Sequence, residues 1–109
     1  MTKDYEASTY QKRPAYRYIR ASDKLPTIAE ASRRPDPPAL VKLFDPTSQW
    51  TWFIAGYNPE SRCAYGVVVG NEREIGDFDM EELVNLRGRF GLPIERDLWW
   101  EPKPLSQCS

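Results

Sequence analysis

Histidine is absent from this 109-residue chain. That absence removes the commonest general base, the usual catalytic triads and most zinc sites. Cysteine is scarce: Cys63 and Cys108 are the two present, and Cys108 lies beside the C-terminus, where chains fray. Neither a structural disulfide nor a secreted disulfide framework is expected from such a pair. Long apolar runs are missing too. Met1 to Ala7 contains Lys3, Asp4 and Glu6 and no apolar stretch, so no signal peptide and no membrane span is expected, and the cytoplasm is the expected compartment. Gly66, Gly70 and Gly76 are too scattered for a phosphate-binding loop and read as bulges and turns.

What remains is apolar, aromatic and proline-rich. The apolar fraction is 40%, the aromatic fraction 13%, and ten prolines cluster rather than spread. This length supports one core and leaves no room for a second. The net charge of −1 hides an asymmetry. Lys3, Lys12, Arg13, Arg17, Arg20 and Lys24 outnumber Asp4, Glu6 and Asp23 at the start, whereas residues 40–109 are acidic. The expected organisation is a basic, proline-containing arm over residues 1–38, ordered in part or on contact with a partner, an α+β domain over 39–105 and a short tail over 106–109. The arm carries Tyr5, Tyr10, Tyr16 and Tyr18 without a sustained period. Leu25 to Ala31 can form a helical turn with Pro26 early in it, and Arg33 to Pro38 breaks regular structure.

From Leu40 the pattern sharpens. Leu40–Phe44, Trp50–Tyr57, Cys63–Val69 and Arg73–Phe78 read as strands, joined by Asp45-Pro46-Thr47-Ser48, Asn58-Pro59-Glu60-Ser61 and Gly70-Asn71-Glu72. Links this short force antiparallel neighbours. Asp79 is the expected N-cap of a helix, with Glu82 completing a capping box and Met80, Leu83 and Leu86 on its apolar face. Gly88 or Gly91 is expected to end it, and Asp97–Glu101 to add a late strand or docking segment. The predicted fold is therefore α+β: a small antiparallel meander sheet of four to five strands with one helix packed on one face. Strict alternation puts Trp50, Trp52, Ile54 and Gly56 on one face and Thr51, Phe53, Ala55 and Tyr57 on the other. Both faces need cover.

Several blocks carry a resemblance: Val41-Lys42-Leu43-Phe44, Trp50-Thr51-Trp52-Phe53, Tyr65-Gly66, Ile75-Gly76-Asp77-Phe78, Glu82-Leu83 and Gly91-Leu92-Pro93-Ile94-Glu95-Arg96-Asp97-Leu98-Trp99 before Pro102. In order and spacing Pro38 to Leu105 resembles the bacterial domain of unknown function 2958. The arm is not part of that match. The resemblance implies a plasmid, integrated-element or phage setting, and it brings no activity and no catalytic residues.

Candidate chemistry is sparse. Asp77, Asp79, Glu81 and Glu82 can be read as a cation site, but helix-start rules place most of these acids where they stand. Cys63 has Arg62 beside it and no base, and Ser61 likewise lacks one. Trp50, Trp52, Tyr57, Tyr65, Trp99 and Trp100 with neighbouring arginines suggest a stacking surface, though small domains also bury aromatics and the acidic body disfavours phosphate. Arg96, between Glu95 and Asp97, is expected to pin the last segment through a bidentate pair. The expectation is a non-enzymatic binding protein, an accessory or host-interaction factor that contacts a protein, with antagonism of a defence system as one form of that role. Its binding residues are Arg17, Arg20, Trp50, Trp52, Tyr57, Arg87 and Arg96. No catalytic residue, cofactor, metal, membrane or oligomeric state is assigned. A single-stranded nucleic-acid binder, and then a metal-dependent nuclease using Asp77 and Asp79, are the alternatives.

Overall fold

The computed structural model describes residues 4–8 and 16–109; Tyr10, Lys12 and Arg13 of the expected arm lie outside them, as does the side chain of Arg17. Strands β1 (Asp4–Ser8) and β2 (Tyr16–Arg20) form a hairpin. Helix α1 (Ile28–Arg33), the two-residue β3 (Pro38–Ala39) and β4 (Val41–Phe44) follow. Then come β5 (Thr51–Asn58), β6 (Cys63–Val69), β7 (Arg73–Asp79) and α2 (Met80–Asn85). Two short strands, β8 (Glu95–Arg96) and β9 (Lys103–Pro104), complete the described elements. The fold is α+β. Its main sheet has five antiparallel strands in the order β7-β6-β5-β4-β8, so the expected meander is extended at one edge by β8. The expected late strand thus lies at Glu95–Arg96, and Asp97 to Trp100 forms a turn.

The faces of β5 do not alternate strictly. The register with β6 shifts between Ile54 and Gly56, so a bulge at Ala55 turns the rest of the strand over. Tyr57 therefore joins Trp52 and Ile54 in the first core cluster, and Gly56 changes sides. Gly56 has a reason to be glycine: a Cβ there would lie 2.9 Å from the Ala31 Cβ of α1.

Each face has its own cover. On the first, Met80, Leu83 and Val84 of α2, Tyr18 and Ile19 of β2, and Ile94 pack on Val41, Leu43, Trp52, Ile54 and Ala64. On the second, Ala39, Leu105 and Cys108 pack on Phe53, Ala55 and Val67, with Trp100 and Tyr65 partly buried alongside. Trp100 is fixed there by donating from Nε1 to the Ala39 carbonyl at 2.9 Å.

These contacts depart from the expected boundaries. The packed body does not begin at Ala39, because Tyr18 and Ile19 are fully buried and α1 lies against β5. Nor does the tail fray: Cys108 is buried, Ser106 donates to Asp36, and Arg73 donates to the Leu105 and Cys108 carbonyls. Helix α1 starts at a capping box, with Thr27 accepting from the Glu30 amide and Glu30 accepting from the Thr27 amide; Pro26 precedes the cap. Asp79 does cap α2, accepting from the Glu81 amide at 2.8 Å, but the expected capping box with Glu82 does not form. That helix stops at Asn85, short of either glycine. Leu86 turns extended, and Gly88 meets the β4–β5 turn so closely that a Cβ would lie 2.6 Å from an Asp45 carboxylate oxygen.

Candidate functional site

The β4–β5 turn builds one wall of the candidate site. Asp45 accepts from the Thr47 amide and hydroxyl at 2.8 and 2.7 Å. Partial burial pushes its carboxyl up, but the hydrogen bonds from Thr47 and Ser48 outweigh that and hold it below the ordinary carboxylate value. Thr47 also accepts from the Arg89 amide, which ties the segment after α2 to this turn. Trp50 follows. Its indole lies flat on Gly70, where a Cβ would come within 2.5 Å of the ring, and stacks on Trp52 with centroids 6.1 Å apart.

Asp45, Trp50, Trp52, Leu86, Arg87 and Gly88 enclose an apolar groove of about 330 Å³. Trp52 belongs to the core, whereas Trp50 and Leu86 are exposed at the groove. Two residues past Gly88 comes Phe90, 88% exposed and held at φ 61°. A left-handed backbone at a bulky non-glycine residue is uncommon and carries a cost, and here it holds a phenyl ring out in water. A second exposed apolar group, Leu98 and Trp99, projects from the turn after β8. With Lys42, Phe44, Glu95, Arg96 and Asp97 it lines a more open concavity of about 440 Å³.

The expected binding residues separate into three groups. Trp50, Trp52 and Arg87 come together in the groove. Arg96 is committed elsewhere: it donates two bonds to Asp23, at 2.8 and 2.7 Å, and one to the Tyr18 carbonyl. The bidentate pin expected of it is therefore present, and it joins β8 to the end of β2. Arg20 is half-buried beside it, its amide donating to Asp23, and its Nε has no hydrogen-bond partner among the described residues. Arg17 lies in β2, its side chain outside those described. The six aromatics make no single platform, because they divide between the two faces and the surface. Among the described residues no three of Cys, Asp and Glu gather as metal ligands, and Asp79 is engaged in capping.

Tyr57 belongs to a site that composition did not reveal. Its hydroxyl donates at 2.5 Å to Glu6 of β1, which is 1% exposed, and Arg62 donates to both Glu6 oxygens at 3.1 and 2.8 Å. Tyr5 stacks on Tyr57 from the same strand as Glu6. Arg62 has φ 59°, a left-handed turn position that more often takes glycine, and from it the guanidinium reaches β1. The one signal available in sequence was this arginine at a turn end.

The chain matches the family described as protein of unknown function (DUF2958) over residues 17–108. It belongs to that family. The match reaches back into β2, which agrees with the burial of Tyr18 and Ile19 and extends the resemblance beyond Pro38. No curated protein and no solved structure matches the chain. The groove, the Arg96 pin and Arg62 all lie in the family-matched span, while Glu6 lies before it.

Burial and the Glu6 carboxylate raise the Tyr57 phenol above its ordinary value, with Arg62 opposing them. A raised folded-state value means stability that is intact below about pH 10 and lost as pH climbs past it, since the unfolded phenol ionises first. Spectrophotometric titration at alkaline pH should therefore show the Tyr57 phenol ionising only as the fold is lost. Replacing Tyr57 with phenylalanine should lower the amplitude of the late step by one phenol; an undiminished amplitude would contradict the assignment.

Proposed function

We propose that this chain is a non-enzymatic binding module that recognises a protein partner through the Trp50–Trp52–Leu86 groove. One observation carries the reading. Phe90, two residues after Gly88 of the apolar groove, is held out in a left-handed conformation, and Trp50 and Leu86 of the groove itself are exposed. Contiguous exposed apolar surface of this kind marks contact sites rather than solvated faces. Aromatic residues and arginine, which line the groove here, are also the groups that dominate binding energy at protein interfaces.

Among the described residues no helix is long and apolar enough to cross a membrane. We place the module in the cytoplasm, in the mobile-element setting that the family resemblance implies. There its partner would be a host protein, and antagonism of a defence system is one form such contact takes. That setting is an association and not a consequence of the geometry.

Capture from host lysate with the full-length chain should yield a protein that is lost with Leu86→Glu and with Phe90→Glu. Both positions are exposed, so thermal midpoints should hold. Retention of the same partner by both variants would overturn the groove reading. So would binding of single-stranded oligonucleotides that the same substitutions abolish.

A further inference from the structure

The two edges of the main sheet differ. At one, β8 covers Leu43 and Phe44 of β4, and the Asp97 amide donates to the Lys42 carbonyl, leaving little open backbone. At the other, β7 pairs with β6 over seven residues without a register shift, and among the described residues no strand pairs with its outer side. Natural edges are blunted by lysine, proline, bulges or brevity. β7 is seven residues long with no lysine, proline or bulge, though four of its residues are charged: its sequence is Arg73-Glu74-Ile75-Gly76-Asp77-Phe78-Asp79, and every residue is exposed or half-exposed. Its one cation is engaged, since Arg73 donates to the Leu105 and Cys108 carbonyls.

Side chains along this edge specify a partner. On the first face Glu74 stands opposite Val68, which stands opposite Trp52. Trp50, Val68, Asn71, Glu72 and Glu74 line a cleft of about 350 Å³, which shares Trp50 with the apolar groove. Neither Glu72 nor Glu74 has an ion-pair partner among the described residues. An indole face with two carboxylates is a cation site: the ring quadrupole and both charges attract the same guanidinium or ammonium. On the opposite face Ile75 is 58% exposed. An added strand alternates its side chains in step with β7, so one side of it meets carboxylates and indole while the other meets Ile75.

We propose that the β7 edge takes an extended basic segment of a partner protein by strand addition, with a cationic side chain seated between Trp50, Glu72 and Glu74 and an apolar one against Ile75. β7 carries one cation against three carboxylates, so its net negative charge disfavours pairing with a second β7, and the same carboxylates repel a nucleic-acid backbone. The inference stands apart from the apolar groove, which the Leu86 and Phe90 variants test separately.

The probe is a short capped peptide alternating arginine and valine, added to the full-length chain and followed by Trp fluorescence and by amide hydrogen exchange. Binding should protect amides of β7 and leave those of β8 unchanged. Affinity should fall by about tenfold or more in the double variant Glu72→Lys, Glu74→Lys, and for a glutamate–valine peptide. A matched peptide with a central proline should bind far more weakly, because it cannot complete the ladder. The proposal is overturned if the basic peptide does not bind, if it binds without β7 protection, if the proline peptide binds equally well, or if single-stranded DNA takes the same site.

Discussion

Gly66→Ala should unfold a large part of the molecule's stability margin, with a loss of about 3 kcal/mol or more against the ~5–15 kcal/mol typical of small domains. The reason is steric and lies wholly in backbone. A Cβ at Gly66 would sit 1.8 Å from the Phe53 carbonyl oxygen and 3.1 Å from the Ile54 Cα. No side chain can rotate away to relieve that contact. Gly66 faces Ile54 at the last regular pair before the bulge, and the bulge aims the Phe53 carbonyl at the space that a side chain on β6 would occupy. To admit a methyl group, β5 and β6 must separate in the middle of the sheet, which disturbs the cores on both faces. Urea denaturation should show a lower midpoint at nearly constant slope. A variant as stable as the parent would mean that the strands do not bulge at Ala55.

That bulge also marks where reading the sequence reaches its limit. The four central strands, their antiparallel order and the Asp79 cap follow from local chemistry: alternation, short proline- and asparagine-bearing turns, and an acid before an apolar period. A bulge leaves no such trace. Trp50 to Tyr57 is apolar on both faces, so a one-residue slip changes no polarity, and Tyr57 is assigned to the wrong face. The Arg96 pin was legible as a type of interaction, because a lone arginine between acids after a rigid turn needs a fixed role. Its partner Asp23 was not, being 73 residues away. In the groove, Trp50, Trp52 and Arg87 stand out by residue type. Leu86, and Phe90 two residues past Gly88, do not, because Gly88 and Gly91 make the helix look longer than the tie to Asp45 and Thr47 lets it be. The hairpin was hidden for a related reason. β1 and β2 are short, rich in charge and irregular in register, and what holds them is tertiary contact.

That contact concentrates in one buried carboxylate, and removing its cation should be costly. Glu6 lies in β1 with its side chain wholly out of water, and its oxygens are met by Arg62 and Tyr57. Arg62→Met keeps most of the aliphatic stem and deletes the charge. Breaking a buried pair from one side typically costs about 3–5 kcal/mol, because the remaining ion keeps its desolvation penalty without compensation. Arg62 itself is 40% exposed, so water can enter where the guanidinium stood and the loss should fall near about 3 kcal/mol at pH 7. Glu6→Gln should cost less, about 1–3 kcal/mol, since an amide can still accept from Tyr57 and leaves Arg62 free to be hydrated. The double variant should then be more stable than Arg62→Met alone, a non-additivity that a merely steric role for Arg62 would not give. Hydrogen exchange locates the effect: amides of β1 and β2 should lose protection first, ahead of the β5–β6 ladder. If Arg62→Met changes stability by less than about 0.5 kcal/mol, the pair does not hold the hairpin on the sheet, and the burial of Tyr18 and Ile19 alone must do so.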